Sequence, residues 1–351
     1  MVGDDLVIAR PEGLYCPPGD FHIDPWRPVP RAVITHAHAD HARAGHGAYL
    51  ATAVGAGVLR ARLGAISLQG LAYGEAVHLG GVRVSLHPAG HVLGSAQVRL
   101  EHRGRVWVAS GDYFVSGHGA DVNATCAPFE PVRCHCFITE STFGLPVYRW
   151  RPQHEVLQQV LAWWADNAQA GRTSLLLAYS FGKAQRLLAG LAAGAAEGIG
   201  PIAVHAAVEP LNRAYREAGV VLPPTTVLGA GAAGRAPPRA LVIAPPAVLG
   251  SAWARGLGDC SDAFASGWMQ LRGARRRQGL DRGFALSDHA DWPGLQRAIA
   301  ATGAERVIVT HGQEAVMVRW LQQQGLQAGS FRTEYGDDDA PAGPAGAAGP
   351  P

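Results

Sequence analysis

Short apolar runs, several alternating with polar residues, dominate the first 150 residues, and a turn signal closely follows each. Ala32-Val-Ile-Thr35, Val82-Arg-Val-Ser-Leu86, Ala96-Gln-Val-Arg-Leu100 and Val106-Trp-Val-Ala109 read as strands of a stacked β architecture with helices outside. From about residue 151 the texture changes. Glu155–Ala168 has a helical pattern, Ser174–Tyr179 is a continuous apolar run suited to a buried parallel strand, and Phe181–Leu191 is helical again. The strand Ile202–Val204, the helix Leu211–Ala218 and the strand Ala240–Ala244 continue this alternation, which predicts an α/β unit on a parallel sheet. After about residue 284 come the helix Trp292–Ala301, the strand Arg306–Thr310 and the helix Glu314–Gln324. The tail from Gly336, rich in Asp, Ala, Gly and Pro, has no period and predicts disorder.

Composition narrows this picture without redirecting it. A hydrophobic share of 48% with 17% charged residues describes a globular protein with ample core. The formal net charge of +2 neither demands nor excludes nucleic acid, since a local basic groove would suffice. Lys183 is the only lysine among 30 basic residues, so arginine is the default cation and most arginines carry little functional meaning. Five cysteines without a CxxC pair point away from a disulfide framework and toward a reducing cytoplasm. Cys134-His-Cys136 is read as the start of a strand, with both thiols on one face as small buried apolar groups. No apolar run has signal-peptide length or approaches the roughly 20 residues of a membrane span.

The chemistry begins where the strand at Ala32 stops. His36-Ala-His38-Ala-Asp40-His41 puts four ligand-type side chains into six residues on a tight turn, a spacing for two adjacent divalent ions. Three other β-like runs also end in a ligand type, namely His91, Asp112 and His311, and Asp112 could bridge two ions. His87 lies four residues before His91, but Gly90 and the following Val-Leu-Gly-Ser form a turn that lets the His91 ring project. Lys183 sits in Ser180-Phe-Gly-Lys183, between a buried strand and a helix start, where free N–H groups and the helix dipole suit a phosphate. Arg272, Arg275, Arg276 and Arg277, beside Trp268, form the densest basic run, readable as a phosphate-backbone contact or as a solvated face.

Thr35-His-Ala-His-Ala-Asp-His41, Ala89-Gly-His91 and Ser110-Gly-Asp112 resemble motifs two to four of the metallo-β-lactamase superfamily, and Asp24 in Phe21-His-Ile-Asp24 resembles its first. Glu140-Ser-Thr-Phe-Gly144, Ser287-Asp-His289-Ala-Asp291 and Thr310-His311-Gly resemble motifs A, B and C of its β-CASP nuclease branch. Within that branch Glu12-Gly-Leu-Tyr-Cys-Pro, Ile23-Asp-Pro-Trp26 and Ser287–Trp292 look most like the bacterial ligase-associated DNA exonucleases.

The resemblance implies an α/β fold in which a metallo-β-lactamase αββα sandwich, residues 1–150 and 284–335, carries a β-CASP insertion at 151–283 ahead of a disordered tail at 336–351. It implies two Zn2+, or Mn2+ in their place, one on His36, His38 and His91 and one on Asp40, His41 and His311, with Asp112 bridging and Asp24 orienting the ligand loop. A hydroxide activated between the metals would attack phosphorus, with His289 as general acid oriented by Glu140. Ser180, Lys183 and Arg275 are the candidate phosphate contacts. Asp288, where relatives often carry a small residue, either tunes His289 or caps the helix near Trp292. The implied partner is nucleic acid, DNA ahead of RNA, with a DNA ligase and a helicase in the same pathway and no membrane. A small-molecule hydrolase of the same fold would leave Glu140 and His289 without a task, and a dead scaffold would not keep every ligand.

Overall fold

The computed structural model describes residues 5–117, 125–192, 198–229, 236–271, 273 and 279–335. The tail from residue 336, Arg272 and the run Arg275–Arg277 lie outside these residues.

Among the described residues the strands form three sheets. The first runs Ile8–Arg10, Gly13–Cys16, Phe21–Ile23, Arg31–Val33, Ala48–Thr52, Leu68–Leu71 in chain order, antiparallel at its start and parallel from Phe21–Ile23 onward. The second has the order Gln327–Ser330, Arg306–Gly312, Cys136–Ser141, Arg105–Ala109, Ala96–His102, Val82–Pro88, Ala76–Leu79. Arg306–Gly312 therefore pairs in parallel with Cys136–Ser141, with Ile138 opposite Ile308, although well over 100 residues separate them in the chain. The third sheet is wholly parallel, in the order Thr226–Leu228, Ile202–His205, Leu241–Ala244, Thr173–Leu177, Cys260–Ala265, Arg282–Phe284. All of it is built from chain lying between the two partners of that long-range pair.

Alternation along the strands explains the layering. Phe21, Ile23, Val33 and Leu50 of the first sheet meet Val84, Leu86, Val98, Trp107 and Ile138 of the second in one core. The residues between them, Val108, Phe137, Val307 and Val309, face the other way and are covered by Leu295 and Ile299 of the helix Trp292–Thr302 and by Met317 and Leu321 of the helix Glu314–Gln323. A third core joins the outside of the first sheet (Ala32, Ile34, Tyr49) to Trp163, Trp164, Leu187 and Leu188 and to Leu176 and Ile243 of the third sheet. The third-sheet unit is thus seated on the first sheet by continuous apolar packing. No helix among the described residues is long and apolar enough to cross a membrane.

Several boundaries differ from the pattern-based expectation. The strand at Ala32 stops at Val33, because the N–H of Thr35 donates to the Asp24 carboxylate at 2.7 Å and leaves the ladder. The expected helix at Phe181 starts at Lys183, after Gly182 in the left-handed region at φ +82°. The strand expected from Cys134 starts at Cys136. Cys134 consequently packs under the helices and Cys136 inside the sandwich, so the two thiols occupy different cores and not one face. Both remain buried, and burial raises the thiol of Cys134 to about 11 and that of Cys136 to about 12.

Candidate metal centre

The site forms where strands of the first two sheets end. Beyond Phe21–Ile23 the backbone turns through Asp24 at φ +42°, and its buried carboxylate accepts from the Thr35 N–H and, at 2.5 Å, from the Thr35 hydroxyl. It also accepts from His41 Nδ1 at 2.7 Å. One carboxylate therefore fixes both ends of the loop that carries His36, His38, Asp40 and His41.

Hydrogen bonding on the outer side assigns the tautomer of each imidazole. The Thr35 hydroxyl donates to Asp24, so it accepts from His36 Nδ1 at 3.0 Å, which leaves Nε2 a bare acceptor pointing inward. Thr310 repeats the device: its hydroxyl donates to the Thr139 carbonyl and accepts from His311 Nδ1 at 3.0 Å. His91 Nδ1 donates to the Asp288 carbonyl at 2.8 Å and His38 Nε2 to the Phe181 carbonyl at 3.3 Å. Five rings thus turn their other nitrogen toward one interior. His91 Nε2 and His38 Nδ1 face each other at 3.0 Å, an approach that two lone pairs tolerate only with a cation or proton between them.

Asp112 occupies the middle. Its Oδ2 lies 3.4 Å from His36 Nε2 and 3.5 Å from His41 Nε2, and its Oδ1 lies 3.1 Å from His311 Nε2. It belongs both to a group with His36, His38 and His91 and to a group with His41 and His311. Asp40 Oδ2 adds a carboxylate 3.4 Å from His41 Nε2. His36 Nε2, His41 Nε2 and Asp40 Oδ1 are buried without a hydrogen-bond partner. Leaving each such atom unsatisfied costs about 1–3 kcal/mol. Inward, orphaned nitrogen and carboxylate donors fit one or more divalent cations, and zinc accepts this donor set.

Beside this cluster stand Glu140 and His289. Glu140 lies at an irregularity of the strand Cys136–Ser141; its carboxylate takes the Tyr113 N–H at 2.8 Å and meets His289 Nδ1 at 3.0 Å. Burial alone would discharge His289, but Glu140 overrides it, through charge and hydrogen bond, aided by Asp112 and Asp288, and holds its pKa well above the usual histidine value. His289 also lines a cavity of about 210 Å³ with His38, Arg62, Tyr179, Ser180 and Phe181.

The structure brings Asp24, His36, His38, Asp40, His41, His91, Asp112, Glu140, His289 and His311 together, and Ser180 reaches the cavity wall. His87 bonds Ser85 instead of entering the cluster. Lys183 requires a correction. It is 1% exposed, its ammonium sits 2.5 Å from Asp288 Oδ1, and it is not available to a substrate phosphate. The expected free N–H groups are also absent at that helix start, since those of Gly182, Lys183 and Ala184 donate to Gln185 Oε1 and to the carbonyls of Phe181 and Tyr179. Arg275 lies outside the described residues. Asp288 does not cap the helix at Trp292; Asp291 does, accepting from the Gly294 N–H at 2.8 Å. Tyr335, which pattern reading missed, stacks on His41 at 4.5 Å. Thr35 and Thr310 were missed too, although each precedes a ligand-type His at a strand end.

No family model matches the chain. It is similar to a protein of Opitutus terrae named Probable DNA ligase, 34% identical over 327 residues, which make up 90% of this chain and 30% of that protein. Endoribonuclease ysh-1 of Neurospora crassa is 28% identical over 121 residues, covering 34% of this chain and 14% of that one. Cleavage and polyadenylation specificity factor 73 of Drosophila melanogaster is 30% identical over 113 residues, covering 31% and 15%. The chain spans less than a third of the length of these curated relatives. A protein of unknown function from Enterococcus faecalis V583 shares the fold, with a TM-score of 0.58 at 11% identity over 87% of this chain and 80% of that one. With its ligand motifs gathered at one centre and these relatives along its length, the chain belongs to the metallo-β-lactamase superfamily, in its β-CASP nuclease branch.

Proposed function

We propose that the protein is a metal-dependent phosphodiesterase that degrades DNA from an end, in DNA repair in the cytoplasm. The observation that carries this reading is the meeting of a protonated, carboxylate-held His289 with a cluster of inward imidazoles and the shared carboxylate of Asp112. In this reading the first two sheets and their helices are the αββα sandwich, and residues 151–283 are the β-CASP insertion.

His36, His38, His91 and Asp112 would hold one Zn2+, or Mn2+, and Asp40, His41, His311 and Asp112 a second; when bound, the pair supplies charge neutralisation at the phosphate and acidifies a water. The other tasks fall to the chain. Asp24, Thr35 and Thr310 keep the ligand rings in one tautomer. His289 gives a proton to the departing oxygen, and Glu140 holds its Nδ1 so that Nε2 faces the reaction. Ser180, on the cavity wall, would touch a substrate phosphate in this reading. DNA is favoured because a relative matched over 90% of this chain bears a ligase name, and in this reading a DNA ligase and a helicase work in the same pathway.

A second reading, RNA processing, is favoured by the two relatives named for RNA work, though each matches only about a third of the chain. End-labelled single- and double-stranded DNA and RNA, incubated with Zn2+ or Mn2+, separate the two. Stepwise shortening of DNA is the expected result. Cleavage of RNA alone would establish the second reading. Undiminished metal-dependent cleavage by Asp112→Ala would refute both.

A further inference from the structure

The helix Lys183–Ala192 belongs to the third-sheet unit, yet its first turn is driven into the metal centre. Gly182 approaches the His91 loop so closely that an added Cβ would lie 2.4 Å from Val92 Cγ1. One residue on, the Lys183 ammonium meets Asp288 Oδ1 at 2.5 Å, with the two side chains 1% and 3% exposed. One turn further, Arg186 Nη2 donates to the His91 carbonyl at 3.2 Å while its guanidinium lies over the Phe114 ring. Asp288 is tied on its main-chain side as well, since its carbonyl takes His91 Nδ1. It immediately precedes His289. A single buried ion pair therefore sits between the third-sheet unit, one ligand-type imidazole and the His289 loop.

Residue usage adds an independent observation. Every other basic position in the chain is arginine, and this one is lysine. A compact ammonium fits a fully enclosed site, whereas a planar guanidinium needs more volume and more acceptors.

We propose that Lys183 and Asp288 form a positioning latch that locks the third-sheet unit onto the metal centre and holds His91 and His289 in place, and that this latch requires an ammonium. The proposal rests on the metal-centre reading above, but not on the identity of the substrate. It is tested in the full chain by competition for Zn2+ against a chromophoric chelator, with thermal unfolding recorded in parallel, for Lys183→Met, Asp288→Asn, Lys183→Met/Asp288→Asn and Lys183→Arg. Breaking the ion pair frees the Asp288 carbonyl to move from His91 Nδ1, and loss of such an outer partner of a metal-held His lowers metal affinity by about 10–100-fold. A loss of that size is expected in each single variant and in Lys183→Arg, with no further loss in the double variant because both changes break one link. A single variant too unstable to purify leaves the test intact, because the double variant removes both charges of the pair together. Wild-type affinity in the folded double variant, even at a lower melting temperature, would overturn the latch, as would losses that simply add. Wild-type affinity in Lys183→Arg would overturn the requirement for an ammonium. If the unmodified chain holds no zinc, the metal-centre reading fails first.

Discussion

Removing the Asp24 carboxylate tests how far the site depends on one buried anion. Asp24 is 2% exposed and accepts three hydrogen bonds at 2.5–2.7 Å, from the Thr35 N–H, the Thr35 hydroxyl and His41 Nδ1. In Asp24→Ala each donor is left buried without an acceptor, at about 1–3 kcal/mol apiece. The hydroxyl can rotate elsewhere and a water can enter, so about 3–5 kcal/mol is the expected net loss of stability, measured by denaturant unfolding of the metal-free protein. Asp24→Asn keeps the volume and one acceptor but turns an amide N–H toward a donor. It should cost less stability, while zinc affinity falls about 10–100-fold as His41 loses its fixed tautomer. Zinc competition and unfolding on the same samples separate the effects. An Asp24→Asn protein with wild-type zinc affinity would falsify the argument, since the loop would then be held without this anchor.

Three further outcomes follow from the geometry. Glu140→Gln should lower kcat about 10²–10⁴-fold with zinc content retained, because His289 loses the charge that keeps it protonated; steady-state kinetics with metal analysis checks this. Zinc affinity should rise with pH. Burial would discharge His41 and His311, but Asp40, Asp112 and Asp24 raise the first well above the usual value and Asp112 raises the second. Metal must then displace protons, so the apparent Kd weakens as pH falls, by about tenfold per unit for each proton released; a pH-independent Kd between pH 6 and 8 contradicts this. Gly312→Ala should destabilise by several kcal/mol, since at φ +85° an added Cβ would lie 2.4 Å from the Ser141 backbone. Gly325→Ala, with φ +83° and open space around it, should cost only about 1 kcal/mol in the same unfolding assay.

The ligand-type residues were legible because each announces itself locally, as a His or Asp that ends an apolar run. His91 could be separated from His87 by Gly90, which does adopt φ +77°. Lys183 was misread for the complementary reason. Its position at a helix start is visible in the chain, but its partner lies 105 residues away and no period reveals it. The same blindness hid Tyr335 over His41, and hid the divergence of Cys134 and Cys136, where two residues of strand boundary decide which core receives a thiol. The short edge strands of the first sheet, such as Ile8–Arg10 and Leu68–Leu71, carry too few residues to show an alternation.

The pairing of Arg306–Gly312 with Cys136–Ser141 has a consequence for the order of events in a growing polypeptide. During synthesis the loop bearing His36 to His41 emerges early, whereas His311 joins it only after the whole third sheet has been made. Until then the cluster is open on one side, and fragments that stop before residue 306 carry most of the ligand-type residues without being able to close it. Closure of the cluster therefore waits on the pairing of two segments far apart in the chain.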